Sequence, residues 1–154
     1  ANLVGYCESA LGFQGGQQFI SMPQGCDQYA IAHEIGHALG LAHEHTRPDR
    51  GHYVTILWDN IIDGREHNFE YSEAGTTKSV GDYDFFSLMH YPLNSFAIDP
   101  KKDTIRPFER PAYLVGGTVL SPKDVVAVRN VYCGLQSAWA MPASAAGRIG
   151  FARR

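Results

Sequence analysis

Residues 33–43 decide how this chain is interpreted, and they read His33-Glu34-Ile35-Gly36-His37-Ala38-Leu39-Gly40-Leu41-Ala42-His43. Asp27 precedes them and is a residue type that often caps the first turn of a helix. Gly40 stands where a helix commonly ends in a left-handed residue. Apolar residues recur between these two at mostly helical spacing, which predicts a helix over residues 28–39.

Three histidines in this run have the spacing of metal ligands. On a helix, His33 and His37 lie one turn apart on the same face, so both imidazoles can reach one ion. A turn at Gly40 brings His43 back toward them as a third ligand. Three nitrogen ligands leave one coordination position open, which is typical of catalytic rather than structural zinc sites. The pattern therefore predicts one bound Zn²⁺ ion.

Glu34 lies beside the first of these histidines and cannot easily bind the same ion. It can reach a water molecule that the metal activates, and there a carboxylate acts as general base and then as general acid. The alternative interpretation is that the histidines are scattered along an amphipathic helix and bind no metal. The fixed spacing of the whole run argues against that alternative.

Composition bounds the class of protein. The chain has 154 residues, of which 44% are apolar and 19% charged, enough for one domain with a real core and unlike a disordered or collagen-like chain. The net charge of −3 gives no basis for binding nucleic acid, and no apolar run is long enough to span a bilayer. Because the chain starts at Ala1 without a signal-like segment, we expect its numbering to begin inside a longer precursor.

The three cysteines leave two interpretations open. An odd number in a processed chain indicates a free thiol or a missing partner. Pairing Cys7 with Cys26 would stabilise the fold by roughly 3 kcal/mol in the chain-entropy model and would leave Cys133 alone. Three reduced cysteines in a cytosolic protein are equally compatible with the count.

Further elements can be predicted around the histidine run. Strand-like sequences occupy residues 18–22 and 53–58, whereas residues 43–53 and 63–84 are polar, contain glycine and are expected to be loops. A second helix begins after Ser121, with proline at its first position and an acid at its third. Its apolar stripe consists of Val125, Val128, Val131 and Tyr132.

The residues after the histidine run resemble a known family of peptidases. The extended motif is similar to that of the metzincin zinc peptidases, and Glu44, directly after the third histidine, is typical of the astacin family. The similarity spans about Cys7 to Cys133 and includes residues 44–50, 53–56, 59–61, 68–69 and 83–91. It implies an α+β fold with the active-site helix under a mostly antiparallel or mixed sheet, and an irregular C-terminal subdomain with one final helix.

The resemblance also implies roles for single residues. Met89 is expected in a Met-turn beneath the metal, and Tyr91 as an additional zinc ligand that swings away and stabilises the oxyanion of the substrate. The remaining histidines are expected to be surface or packing residues, namely His45, His52, His67 and His90. Three charged residues are expected to form an ion-paired scaffold around the loop, namely Arg47, Asp49 and Arg50.

For the cysteines, the resemblance implies a disulfide between Cys7 and Cys26 and a secreted, oxidising setting. The family's partner for Cys133 and its opening portion, a helix and the first strands, are absent from this chain. We therefore expect residues 1–133 to be an astacin-like catalytic domain that lacks its front part, and residues 134–154 to be a flexible tail or linker.

The implied function is a zinc-dependent endopeptidase that hydrolyses extracellular proteins through a metal-activated water, with Glu34 as general base and acid. A protein or peptide substrate is expected to bind extended along residues 9–13. Two alternatives remain. The first is a metzincin outside the astacins, against which Glu44 argues. The second is an inactive zinc-binding fragment or pseudoenzyme that lacks the N-terminal part of the domain.

Two departures from the family pattern have consequences. Residues 115–120 contain no basic side chain, so the family's preference for acidic substrate residues does not carry over. The family pairs the glutamate after the third histidine with a buried N-terminal ammonium. Without that partner, Glu44 is predicted to carry a partly desolvated, uncompensated charge.

Overall fold

A computed structural model of the chain describes residues 6–72, 79–109 and 115–133. Within these ranges the fold is α+β, with two helices and two separate two-stranded antiparallel sheets. The helices are α1 (Gln28–Ala38) and α2 (Pro122–Tyr132). The strands are β1 (Glu8–Ser9), β2 (Ile20–Ser21), β3 (Val54–Ile56) and β4 (Ile105–Pro107). Four short 3-10 helices connect them, at Glu44–Thr46, Arg50–His52, Trp58–Asn60 and Glu66–Phe69.

Helix α1 begins and ends where the sequence predicts. The Asp27 carboxylate accepts hydrogen bonds from the backbone amides of Tyr29 and Ala30, which satisfies donors of the first turn. Gly40 has φ of +94°. The amides of Gly40 and Leu41 donate back to carbonyls of the last turn at 2.8 and 3.0 Å, the pattern of a Schellman motif. The chain therefore reverses directly after the helix.

The first sheet lies next to the end of α1. Its strands β1 and β2 pair with Glu8 opposite Ser21, so the strand expected over residues 18–22 is confirmed in a shorter form. A disulfide between Cys7 and Cys26 joins the two sides of this segment, as the resemblance implies. The amide of Gly12 donates to the His37 carbonyl at 2.8 Å. The segment is therefore attached to the turn of α1 that carries a candidate ligand.

The hydrophobic core surrounds the second sheet. Strand β3 pairs with β4, with Ile56 opposite Ile105, and the strand expected over residues 53–58 is thereby confirmed at its centre. Trp58 begins a 3-10 turn instead of continuing the strand. Seven buried side chains form the core cluster, namely Val54, Ile61, Phe69, Tyr83, Phe85, Leu93 and Ile105.

Helix α2 is held by its N-terminus. The Ser121 hydroxyl accepts from the Asp124 amide at 3.0 Å, and the Asp124 carboxylate accepts from the Ser121 amide at 2.9 Å, which is a capping box. The same carboxylate accepts from the Ser87 hydroxyl at 2.7 Å and the Leu88 amide at 3.0 Å. Asp124 is buried, whereas the apolar stripe is largely exposed, with Val131 at 44% and Tyr132 at 50%. Buried hydrogen bonds, more than the stripe, anchor the helix.

The expected ion-paired scaffold is only partly present. Arg47 is buried and donates to the carboxylates of Glu44 and Asp49 at 2.8–2.9 Å. Arg50 is also buried, but it forms no ion pair within the described residues, so its assignment to the scaffold is wrong there. Its guanidinium donates to backbone carbonyls and lies 4.0 Å from the ring centroid of Tyr71. Carbonyl dipoles and an aromatic face replace a carboxylate as its partners.

Two further observations concern the described helices and cysteines. Neither described helix is long and apolar enough to cross a bilayer. Cys133 is exposed and unpaired in the part of the chain that the structure describes. The tail expected over residues 134–154 lies outside the described residues and stays a prediction.

Gly117 lies so close to neighbouring backbone that no side chain fits there. A Cβ at this position would lie 2.3 Å from the Phe86 carbonyl oxygen and 2.9 Å from the Leu88 amide nitrogen. Because backbone atoms cannot rotate away from the added methyl group, we expect Gly117→Ala to lower the free energy of unfolding by about 1–3 kcal/mol. Urea unfolding measures this change. The control is Gly51→Ala, whose methyl group meets only the Tyr71 hydroxyl at an ordinary 3.7 Å; equal losses in both variants would contradict the prediction.

Candidate metal centre

The three histidines of residues 33–43 converge at the end of α1. His33 and His37 belong to one face of the helix, and the turn at Gly40 returns the chain toward them. The Nε2 atom of His43 lies 3.1 Å from Nε2 of His33 and 3.2 Å from Nε2 of His37. Within the described residues, this is the one cluster of histidine, cysteine and acidic side chains that could hold a metal ion.

Backbone carbonyls determine where two of these rings carry hydrogen. Nδ1 of His33 lies 2.9 Å from the Leu88 carbonyl oxygen, and Nδ1 of His37 lies 2.8 Å from that of Leu41. Because a carbonyl only accepts, each Nδ1 donates and each Nε2 presents a lone pair in the neutral ring. A hydrogen on Nε2 of His43 could be donated to Nε2 of His33 or to Nε2 of His37, but not to both. A cation satisfies all three nitrogens together.

The distances and the protonation of the rings fit a tetrahedral zinc ion. Nitrogens about 2.05 Å from a tetrahedral centre lie roughly 3.3 Å apart, and two of the separations here are 3.1 and 3.2 Å. Burial, with the neighbouring imidazole of His33, lowers the pKa of His37 to about 4. Burial and the surrounding imidazoles also hold the pKa of His43 well below its usual value. Both rings are therefore neutral at pH 7, which is the form that binds metal.

A buried turn supports the histidines from below. Met89 is 1% exposed, and its sulfur lies so close to Gly36 of α1 that a Cβ there would come within 2.7 Å of it. The carbonyl of Leu88 holds His33, and the carbonyl of Met89 accepts from the Glu44 amide at 3.0 Å. This placement corresponds to the Met-turn that the family resemblance implies.

Glu34 lies on α1 beside the first histidine and is only 7% exposed. Burial raises the pKa of its carboxyl group and the charge of Glu8 adds to this, while His33 and the Ser9 backbone oppose it. A carboxylate whose pKa is raised is a stronger proton acceptor than a fully solvated one. The arrangement therefore places a buried carboxyl group with a raised pKa near His33.

Tyr91 follows the Met-turn in sequence, and its ring packs against His43 of the histidine cluster. The centroid of its ring is 4.5 Å from that of His43. Burial and the charge of Glu34 raise the pKa of its phenol, so the hydroxyl group keeps its proton at neutral pH. Within the described residues this hydroxyl makes no hydrogen bond. It is thus available as a donor or ligand.

Glu44 has partners, and the prediction that its charge is uncompensated is wrong. Its Oε1 atom accepts from the Arg47 guanidinium at 2.9 Å and from the Asp84 amide at 2.7 Å. Burial raises the pKa of its carboxyl, and the charge of Arg47 is the largest opposing effect. The guanidinium supplies the counter-charge, so residues of the described segments fix the loop that carries His43.

The sequence did not indicate that five polar residues connect this loop to the last helix through hydrogen bonds. We call them the carboxylate chain, and in order of contact they are Glu44, Asp84, Ser121, Asp124 and Ser87. Asp84 links the two parts, because its amide donates to Glu44 and its carboxylate accepts from the Ser121 hydroxyl. The one signal in the sequence was the capping box of α2, which places an acid at the third helical position.

The other histidines behave as packing or surface residues, as expected. His52 and His67 are exposed. His45 and His90 are buried, at 0% and 2% exposure. His90 lies 2.7 Å from both the Tyr91 carbonyl oxygen and the Tyr83 hydroxyl, so it supports the backbone of the Met-turn.

Comparisons with known proteins show what this chain is similar to. The chain is 46% identical over 126 residues to Tolloid-like protein 2 of Homo sapiens, an alignment that covers 77% of this chain and 12% of that protein. It is 40% identical over 130 residues to the low choriolytic enzyme of Oryzias latipes, covering 82% of this chain and 46% of that protein. The chain thus spans less than half the length of these two relatives.

A solved structure and a family model extend the comparison. High choriolytic enzyme 1, a hatching enzyme zinc-protease from Oryzias latipes, superposes with a TM-score of 0.75 at 36% identity, covering 86% of this chain and 66% of that one. The family model for the astacin peptidases matches residues 2–133. This match excludes the alternative of a metzincin outside the astacins. Because the family model matches most of its residues, the chain belongs to the astacin family of peptidases.

Proposed function

We propose that this chain is the catalytic part of a zinc-dependent endopeptidase. The observation that carries the proposal is the meeting of three imidazole Nε2 atoms beside the buried carboxylate of Glu34, all next to one helix end. Three histidine nitrogens leave one coordination position of a zinc ion free for a water or for the substrate. The family's zinc peptidases support the choice of ion and of reaction.

The residues divide the chemistry among them. His33, His37 and His43 would hold the zinc, with Tyr91 as an additional ligand in the absence of substrate. A bound zinc supplies Lewis acidity, which makes water more acidic and the peptide carbonyl more electrophilic. Glu34 accepts the proton of the attacking water on its carboxylate and later donates it to the nitrogen of the departing amine.

Tyr91 is proposed to stabilise the negative charge that develops on the carbonyl oxygen of the substrate. Its hydroxyl keeps its proton and is not committed to another residue within the described part of the chain. A donor that is already in position when the charge develops lowers the barrier without reorganisation. The same side chain would therefore serve as an additional ligand when no substrate is bound and as a donor to the oxyanion when substrate is bound.

The substrate is proposed to be a protein or peptide that binds extended along residues 9–13. β1 pairs with β2 within the described residues, and an extended peptide can add to such a sheet by backbone hydrogen bonds. Because residues 115–120 contain no basic side chain, the family's preference for acidic residues after the cleaved bond is not part of this proposal. The disulfide supports an extracellular setting.

An inactive fragment is the less favoured alternative. The three candidate ligands converge within the described segments, and Glu34 directly follows the first of them on α1. A pseudoenzyme would be expected to have lost at least one of these groups.

The proposal is tested by zinc content and peptide cleavage together. We expect one equivalent of zinc per folded chain, hydrolysis of an unstructured protein such as casein, and loss of hydrolysis when a chelator removes the metal. Re-addition of zinc should restore the rate, because the ligands are held by the protein fold rather than by the ion alone. Folded protein without stoichiometric zinc would contradict the metal site, and cleavage that survives complete metal removal would contradict the mechanism.

A further inference from the structure

Behind the histidine cluster lies a stacked pair of rings, His45 and Tyr91. Their centroids are 4.0 Å apart and their planes differ by 27°. His45 has no exposed surface. Its other neighbours include Phe69, whose ring lies 5.6 Å away, edge to face. His45 is therefore the flat side chain that covers one face of the proposed catalytic tyrosine.

The imidazole of His45 is held in a single orientation. Its Nε2 atom lies 3.1 Å from the Asn68 carbonyl oxygen, so this nitrogen carries the hydrogen and donates. The backbone carbonyl of His45 accepts from the buried guanidinium of Arg50 at 3.0 Å. Both the ring and the backbone are thus tied to elements outside the metal loop.

The remaining ring nitrogen, Nδ1, has no hydrogen-bond partner in the described part of the chain and is fully buried. A buried acceptor without a partner is unfavourable by roughly 1–3 kcal/mol. A phenylalanine would fill the same space without that penalty, but it could not donate to the Asn68 carbonyl. The hydrogen bond to Asn68 holds the imidazole in place, whereas the flat face of the ring is the part that contacts Tyr91.

The position of the Tyr91 side chain depends on the rings that pack against it. Because its hydroxyl makes no hydrogen bond within the described residues, contacts of the ring set its position. Its neighbours other than His45 meet it at an angle rather than face to face, at centroid distances of 4.5 Å for His43, 5.9 Å for Phe69 and 5.8 Å for Phe96. His45 alone among these contacts provides a parallel surface.

We propose that His45 is a positioning residue for Tyr91: its oriented ring keeps the tyrosine ring beside His43, and so directs the hydroxyl toward the reacting carbonyl. The inference rests on the proposed function. His45 itself touches neither substrate nor metal in this proposal. His45 acts through the tyrosine hydroxyl. Substituting His45 should therefore lower kcat only when that hydroxyl is present.

The test compares His45→Gln, which keeps a side-chain donor but removes the ring, with His45→Phe, which keeps the ring but removes the donor. Each is made alone and together with Tyr91→Phe. We expect His45→Gln to lower kcat roughly tenfold to hundredfold, since a misplacement of about 1 Å can have that effect. KM and zinc content should stay within about twofold of the parent, because the substrate contacts and the three ligands are unchanged. His45→Phe should retain most of kcat, and in the Tyr91→Phe background His45→Gln should have no further effect.

Two outcomes would overturn the inference. A loss of kcat that is equally large with and without the tyrosine hydroxyl would show that His45 acts independently of Tyr91. A loss that follows zinc content would show that it acts on the ligands. If His45→Gln does not fold, His45→Phe decides alone: retained kcat supports the stacking role, and a large loss at full zinc content refutes it.

A second measurement does not depend on peptidase activity. In zinc-free protein with isotope-labelled tyrosine, we expect NMR to show one ordered orientation of the Tyr91 ring in the parent and in His45→Phe, and averaged orientations in His45→Gln. An ordered ring in all three proteins would refute the inference. If the parent fails to cleave peptides, the proposed function fails, while this measurement still decides whether His45 positions the ring.

Discussion

Glu34→Gln is expected to leave a folded, zinc-loaded protein that has lost nearly all peptidase activity. Glutamine has the shape of glutamate, but its amide cannot accept the proton of the attacking water. General bases contribute about 10²–10⁴-fold to such reactions, so kcat should fall by at least about a hundredfold. The side chain is 7% exposed and belongs to the residue of α1 that directly follows the candidate ligand His33.

The measurement is kcat and zinc content for the variant and its parent. Glu70→Gln is the matched control, because it removes the same charge from an exposed side chain remote from α1 in sequence. Its activity should equal that of the parent. If Glu34→Gln cleaves at a rate close to the parent with full zinc, then Glu34 is not the base.

Tyr91→Phe is expected to keep zinc and to lose turnover. Losing one oxyanion donor typically raises the barrier by roughly 3 kcal/mol, or about a hundredfold in rate. Three imidazoles already suffice to hold a catalytic zinc, so the metal should remain. The ring contacts with His43 and His45 do not involve the hydroxyl, and the fold should therefore be unchanged.

Zinc content separates the two roles of this tyrosine. A variant that loses zinc in proportion to its activity would make Tyr91 mainly a structural ligand, and full zinc with unchanged kcat would refute its role at the oxyanion. Tyr29→Phe serves as the control, since Tyr29 is half exposed on the first turn of α1 and its hydroxyl has no hydrogen bond within the described residues.

Local signals in the sequence were sufficient for the helices and for the histidine cluster. Asp27 and Gly40 act on neighbouring backbone groups, so their effect can be predicted from a short window. The two imidazoles of α1 follow from helical periodicity alone. The position of the third depends on one glycine, whose φ of +94° reverses the chain.

Contacts between distant segments could not be predicted in this way. Strand β4 has three residues and ends in Pro107, and it is recognisable only because β3, about fifty residues earlier, supplies its hydrogen bonds. The carbonyls of Leu88 and Leu41 orient the ligands, yet backbone groups are the same in every sequence. Asp124 reads as a helix cap, and nothing in its neighbourhood indicates that it also binds the Met-turn.

The carboxylate chain has a consequence for the time at which the candidate metal centre can form during synthesis. His33 is oriented by the Leu88 carbonyl, and the backbone at Leu88 is held in turn by Asp124, which lies at the start of the last helix. After His33 the ribosome must therefore add the 91 residues from Glu34 to Asp124 before the candidate metal centre can be fixed. At about 5–20 residues per second, this interval lasts roughly 5–18 s. The candidate metal centre of a nascent chain therefore cannot be completed until nearly all of the described residues have been synthesised.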